Sequence, residues 1–130
     1  MGVGAAWIVS ALEPGVPFVT VELDPAVSAV AASLLADDPD VRVLTGDWRD
    51  LLAAEAPFDF LFVDTADAKD EPDAVLGLLA PRATVVLDDF HRDPALPDPR
   101  RDSWLEHPAL SATPFWVTRD RRAIVASRRG

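Results

Sequence analysis

The stretch Pro57 to Asp64, PFDFLFVD, decides the fold that the sequence predicts. Its apolar, aromatic and β-branched residues are typical of a strand that helices bury on both faces, as in a parallel sheet. The stretch ends on an acid, and open α/β sheets bind their ligands at the carboxyl ends of the strands. Asp64 is therefore a candidate site residue. The alternative is that Asp64 caps the loop that follows the strand.

Three further strand-like runs also lead into acids. VTVEL reaches Glu22, VRVLTG reaches Asp47, and TVVLDD ends at Asp88 and Asp89. Because the strands of a parallel sheet run in the same direction, their carboxyl ends meet at one edge. The repetition favours a shared acidic site at that edge over four separate loop caps.

The composition limits the class of protein. A length of 130 residues predicts a single domain, and no apolar run approaches the length of a membrane span, so we expect a soluble protein. The net charge is −10, with 12 basic against 22 acidic residues, which argues against a nucleic acid partner. The chain has no cysteine, which excludes disulfides and thiolate chemistry. The first residues lack a signal peptide pattern, so we expect a cytoplasmic protein.

Helix patterns alternate with the strands and predict βαβ units. Gly2 and Gly4 precede a helix expected over 5–12, and Asp24 followed by Pro25 predicts the start of a second helix. The second helix carries an apolar stripe that is expected to face the core; its residues are Val27, Val30, Ala31, Leu34 and Leu35. A short helical segment is expected over 49–54, and a further helix is expected to begin near residue 72 and to end at Pro81, after a small, polar loop. The fold class is therefore α/β, with a Rossmann-like, mostly parallel sheet and helices on both faces.

The last forty residues break this alternation. The segment 91–108 holds four prolines and predicts an irregular lid or binding loop, with one helical turn at 103–106. The runs 112–117 and 123–127 predict an antiparallel hairpin at the carboxyl end.

The order and spacing of five runs give a family resemblance. The runs are GVGAAWIVSAL, VTVELDP, VRVLTGDWRDLL, FDFLFVDTAD and LLAPRATVVLDDF. Together they resemble the class I S-adenosylmethionine-dependent methyltransferases, and most of all the small bacterial O-methyltransferases related to catechol O-methyltransferase. The resemblance implies S-adenosylmethionine as cofactor and methyl transfer to a hydroxyl of a small-molecule substrate.

The resemblance also implies residues that bind the cofactor. Glu22 is similar to the acid that accepts hydrogen bonds from both ribose hydroxyls. Asp47 and Trp48 match positions that contact adenine, through an acceptor for the amino group and a flat apolar surface. Gly2 and Gly4 match the later glycines of the loop beside the methionine part. The alternatives are a solvated strand end for Glu22, a packing role for Trp48 and a glycine-loosened terminus.

A metal site is implied as well. Asp64, Asp88 and Asp89 match the positions where the cation-dependent branch of this family holds a divalent metal, and their hard oxygen ligands suit Mg²⁺. Asp64 is thus assigned catalytic, cofactor-binding and metal-binding roles. The alternative is that Asp88 and Asp89 simply end a strand. Lys69 lies five residues after Asp64, whereas the family places its lysine at three, so Lys69 is not assigned as a base.

One departure from the family concerns its first strand. The strand that normally leads into the glycine loop is missing before Gly2, so the resemblance implies a domain truncated at its N-terminus. Its two neighbours would close on each other, borrow a strand in a swapped homodimer, or leave a less stable fold. Two other hypotheses remain open. The chain is a non-catalytic methyltransferase-like fragment or partner subunit, or it is a nicotinamide-dependent Rossmann protein in which Glu22 binds the ribose in the same manner.

Overall fold

The computed structural model describes residues 2–91, 93 and 95–130, and these form alternating helices and strands. The helices are α1 (Val3–Ala11), α2 (Pro25–Leu34), α3 (Trp48–Ala53), α4 (Ala66–Lys69), α5 (Pro72–Leu76) and α6 (Pro99–Leu105). The strands are β1 (Phe18–Glu22), β2 (Val41–Thr45), β3 (Phe58–Val63), β4 (Leu79–His91), β5 (Leu110–Trp116) and β6 (Arg121–Arg128). The predicted α/β class is confirmed.

The chain forms two compact units, one ending at Glu55 and one beginning at Ala56. The first unit contains a parallel sheet of β1 and β2, and the second contains a sheet with strand order β3, β4, β6, β5. The expected consequences of a missing first strand stay predictions. The expectation of a single domain stays a prediction.

The first unit is built around the start of α2. The Asp24 side chain accepts a 2.8 Å hydrogen bond from the Ala26 N–H, with Pro25 in the first turn, as predicted for a helix N-cap. One turn later the Ser28 and Thr45 hydroxyl oxygens lie 2.6 Å apart and join α2 to the end of β2. A local capping signal and one buried polar contact therefore place this helix.

The apolar stripe of α2 is only partly buried, so the prediction that all of it faces the core is wrong. Ala31 and Leu35 are buried, but Val30 is 57% exposed and Leu34 is 53% exposed. A two-stranded sheet is too narrow to cover an apolar face about 100° wide. The stripe therefore extends beyond the surface that β1 and β2 offer.

The second unit has its core along β4. Ala83, Val85 and Leu87 are buried at every second position, and Val63 at the end of β3 pairs with Leu87 in the parallel register. β6 runs antiparallel to β4 and to β5, which confirms the predicted hairpin. The other fully buried large side chains are Val75, Leu79, Trp104, Leu110 and Ile124.

Two predictions about this unit are wrong. PFDFLFVD is not buried on both faces: Phe60 is 45% exposed, because β3 is the edge strand of its sheet. The helix after residue 72 does not reach Pro81 either, since α5 ends at Leu76 and Pro81 already belongs to β4. Arg82, with φ of 64°, lies beside a register shift in the β3–β4 pairing, the kind of irregularity at which a strand tolerates proline.

One helix was not predicted from the sequence, and another is longer than predicted. The loop after Asp64 contains the single turn α4, and α6 starts at Pro99 instead of forming one turn at 103–106. Asp98 caps α6 by accepting a 3.1 Å hydrogen bond from the Arg101 N–H. None of the helices in the described part of the chain is long and apolar enough to cross a membrane.

Candidate functional site

The two amino-terminal glycines have different surroundings. Gly2 precedes α1 with φ of 78°, and a Cβ atom there would lie 3.3 Å from Leu34 Cδ2 and 3.4 Å from Ala31 Cα. Gly2 therefore permits close packing on α2, with or without a ligand. Gly4 lies inside α1, so the prediction that both glycines precede the helix is wrong for Gly4.

Glu22 ends β1, opposite Thr45 of β2. Its carbonyl oxygen accepts a 3.0 Å hydrogen bond from the Gly46 N–H, and Gly46 turns the chain with φ of 146°. Glu22 is half-buried, and its carboxylate has no hydrogen bond or ion pair with another described residue. This carboxylate is held by a fixed backbone and is able to accept hydrogen bonds from ligand hydroxyls.

Asp47 and Trp48 have local partners at the start of α3. Asp47 accepts a 2.8 Å hydrogen bond from the Arg49 N–H as the N-cap, and Arg49 Nη1 lies 3.2 Å from both of its carboxylate oxygens. The Arg49 guanidinium also stacks 4.7 Å from the centroid of the Trp48 ring. These contacts account for both residues structurally, and their predicted role in binding adenine stays a prediction.

Asp64 and Asp88 come together at the carboxyl edge of the parallel pair. Asp64 follows β3, and Asp88 follows Leu87, the register partner of Val63. Burial raises the pKa of Asp88 above its ordinary value of 3.8, and the charge of Asp64 and a side-chain hydrogen bond with it raise that pKa further. The structure thus assembles two of the predicted carboxylates as a pair that holds a proton more tightly than a solvated acid.

Lys69 is the basic group of this site, and the sequence reasoning did not assign it. Lys69 is 6% exposed, and its Nζ lies 3.5 Å from Asp88 Oδ1. The ammonium also lies 5.6 Å from the centroid of the Phe90 ring, and the Trp104 indole Nε1 donates a 2.8 Å hydrogen bond to the Lys69 carbonyl oxygen. One signal was available: Lys69 is the only lysine among 12 basic residues.

Asp89 has a different partner from this pair. Its φ of 63° and a register shift between Leu87 and Phe90 interrupt the regular β4–β6 ladder. The Asp89 carboxylate lies 3.2 Å from Arg121 Nε, and 59% of its side chain is exposed. Among the described residues, no three or more His, Asp or Glu side chains form a group that could hold a metal ion. The predicted set of Asp64, Asp88 and Asp89 is therefore not assembled.

Within the proline-rich segment, a buried arginine attaches Asp93 and Leu96 to α6. Arg101 is 7% exposed, and its guanidinium donates to the carbonyl oxygens of Asp93 (3.4 Å) and Leu96 (3.3 Å). The neighbouring Arg100 forms a two-bond ion pair with Asp70, which directly follows Lys69, and the hydrogen bond from Arg100 lowers the Asp70 pKa. α6 therefore connects the segment expected to recognise a substrate with the turn that carries Lys69.

Three of the solved structures that resemble this chain are longer than it is, and the match covers almost all of this chain. The O-methyltransferase TomG from Streptomyces achromogenes, in complex with SAM, is 26% identical with a TM-score of 0.79, and the match covers 99% of this chain and 69% of TomG. Cofactor-bound Rv0187 from MTB is 28% identical with a TM-score of 0.77 (97% and 68% covered). The O-methyltransferase from Bacillus cereus, in complex with SAH, is 24% identical with a TM-score of 0.77 (96% and 68% covered) and supports the fold.

The search of curated proteins found no match. Residues 1–90, however, match the family described as "Methyltransferase domain", and this region contains β1 to β4 with the Asp64–Asp88 pair. The chain therefore belongs to the methyltransferase domain family.

Proposed function

We propose that the chain is an S-adenosylmethionine-dependent methyltransferase that acts on a hydroxyl of a small molecule. The match of residues 1–90 to the methyltransferase domain family carries this proposal. TomG, an O-methyltransferase in complex with SAM, and cofactor-bound Rv0187 support the choice of cofactor, and TomG supports the choice of oxygen as acceptor.

Glu22 fits the ribose of this cofactor. The two oxygens of a carboxylate can each accept a hydrogen bond from one of two vicinal hydroxyls, and the Glu22 carboxylate is half-buried and makes no hydrogen bond within the described residues. Hydrogen bonds to a charged acceptor are stronger than those to a neutral one. Glu22 is therefore the residue on which we expect cofactor affinity to depend most.

The Asp64–Asp88 pair fits the proton transfer that methylation requires. S-adenosylmethionine, when bound, supplies a methyl group on a positively charged sulfur, which keeps the electron pair of the broken carbon–sulfur bond. The acceptor hydroxyl loses its proton as its oxygen bonds to the methyl carbon. A carboxylate with a raised pKa is a better proton acceptor than an ordinary aspartate, and Asp88 has such a pKa. The chain positions the acceptor and takes up its proton.

The Mg²⁺ ion implied by the resemblance is not supported by these residues. Of the three predicted ligands, Asp89 pairs with Arg121, and Asp88 already faces the Lys69 ammonium. Divalent-cation dependence therefore stays a prediction of the resemblance, and no step of the proposed reaction involves a metal.

Calorimetric titration with S-adenosylhomocysteine tests the proposal. We expect saturable binding of one equivalent, and radiolabelled methyl transfer from S-adenosylmethionine to small hydroxyl compounds should follow. A parallel titration with NAD separates the alternatives. Binding of NAD without S-adenosylhomocysteine would indicate the nicotinamide-dependent alternative, and binding of neither would indicate a non-catalytic fragment or partner subunit.

A further inference from the structure

The environment of Lys69 is that of a fixed cation. Its side chain is 7% exposed, its Nζ faces Asp88, and the Phe90 ring lies beneath the ammonium. The Trp104 indole donates a hydrogen bond to its backbone carbonyl oxygen, and the next residue, Asp70, forms an ion pair with Arg100. A buried lysine is rare unless it is paired, so these contacts show that the fold holds the Lys69 ammonium at a defined position.

The carboxylates around this ammonium are those expected to hold a metal. Asp88 is in direct contact with Lys69, and Asp64 and Asp88 follow Val63 and Leu87, which are register partners in neighbouring strands. The third predicted ligand, Asp89, pairs with Arg121 instead. A divalent ion bound to the Asp88 oxygens would lie next to the ammonium, and like charges at that distance repel strongly at a partly buried site.

The choice of residue is informative as well. All basic residues of the chain other than Lys69 are arginines. An ammonium is a compact point charge, whereas a guanidinium is planar and donates hydrogen bonds in fixed directions. The lysine side chain therefore resembles a metal ion more closely than arginine does, both in size and in how it contacts carboxylate oxygens.

We propose that the Lys69 ammonium is the resident cation of the Asp64–Asp88 pair, and that it occupies the place of the divalent metal ion used by the cation-dependent branch. Two consequences follow from this proposal. The first is that the Asp64–Asp88 pair has little affinity for a divalent ion, and this does not depend on the proposed function. The second is that methyl transfer needs no added metal, and this rests on the proposed function.

A Mn²⁺ titration of the full chain, followed by electron paramagnetic resonance, tests the proposal without any turnover. In the wild-type chain we expect no saturable Mn²⁺ binding that depends on Asp88, so Asp88→Asn should leave the titration curve unchanged. Lys69→Met takes away the competing charge, so it should bind Mn²⁺ at least about tenfold more tightly than the wild type. Adding Asp88→Asn to Lys69→Met should abolish this gain, and Lys69→Arg, which keeps the charge, should not show it.

Two results would overturn the proposal. One is saturable Mn²⁺ binding by the wild type that Asp88→Asn abolishes, and the other is a folded Lys69→Met variant that binds no more tightly than the wild type. Circular dichroism checks folding. If Lys69→Met does not fold, nuclear magnetic resonance of the wild type replaces it, because Lys69 is the single lysine and ¹³C at its Cε gives one resonance. We expect this resonance to keep its line width in equimolar Mn²⁺. Selective broadening would show Mn²⁺ bound beside the ammonium and would refute the proposal. S-adenosylhomocysteine takes no part in these measurements, so failure of the proposed function would leave them unchanged.

Discussion

The indole Nε1 of Trp104 donates a hydrogen bond of 2.8 Å to the backbone carbonyl oxygen of Lys69. Trp104 belongs to α6 and is fully buried, whereas Lys69 ends α4, 35 residues earlier in the chain. The contact fixes the turn from which the Lys69 ammonium reaches Asp88. The position of the site's cation is therefore set by a helix distant in sequence.

Trp104→Phe should destabilise the fold measurably. The variant keeps an aromatic ring but removes the donor, so the Lys69 carbonyl loses its partner in a buried environment. We expect the free energy of unfolding to fall by about 1 to 3 kcal/mol, measured by urea denaturation. Trp7→Phe is the matched control: Trp7 is 74% exposed, and its replacement should change stability by no more than about 0.5 kcal/mol. Equal effects of the two substitutions would contradict this role of the hydrogen bond.

Asp88→Asn should change how stability depends on pH. The pKa of Asp88 is raised above 3.8 in the folded state, so the folded chain binds this proton more tightly than the unfolded chain does. Below 3.8 the carboxyl is protonated in both states and carries no penalty. As the pH rises through the raised pKa, the wild type loses stability that the asparagine variant keeps.

Urea denaturation across this acidic range measures the difference between the two chains. We expect the free energy of unfolding of Asp88→Asn to rise steadily relative to that of the wild type as the pH rises. The dependence of this difference on pH reflects the titration of Asp64 and Asp88 together. A difference that is flat with pH, or one that moves the other way, would refute the prediction.

Glu22→Ala should weaken the binding of S-adenosylhomocysteine. Loss of a charged acceptor for two ribose hydroxyls is expected to cost about 1.5 to 3 kcal/mol of binding free energy, measured by calorimetry. Glu13→Ala is the control, because Glu13 is an exposed acid outside the predicted site. An unchanged dissociation constant for Glu22→Ala would exclude Glu22 from the cofactor site.

Arg101→Met should loosen the proline-rich segment. Arg101 donates to the Asp93 and Leu96 carbonyl oxygens, and methionine fills a similar volume without any donor. We expect the amides of Ala95 and Leu96 to exchange with solvent faster, measured by hydrogen–deuterium exchange, because local opening costs less without these bonds. Arg129→Met, at an exposed position, should leave the same amides unchanged. Unaltered exchange in Arg101→Met would show that the segment is held by other contacts.

Local patterns in the sequence predicted most of the elements. β1, β2, β3 and the terminal hairpin follow from apolar and β-branched runs, and the start of α2 follows from Asp24, whose side chain caps the first turn of that helix. The same patterns placed Asp64 and Asp88 at one sheet edge, because parallel strands deliver their ends to the same side. Such features depend on neighbours within a few residues and can therefore be derived from the sequence.

The partners of the site's side chains were decided only by the tertiary structure. Asp89 turns to Arg121 at an irregularity between β4 and β6, and no local pattern marks that irregularity. Lys69 is buried because Trp104, Phe90 and Asp88 surround it, and these residues lie 19 to 35 positions away in the chain. The sequence determined which strands and helices form and where their acids lie. Which charge faces which depends on strand register and helix packing, and these are fixed by contacts between residues far apart in the sequence.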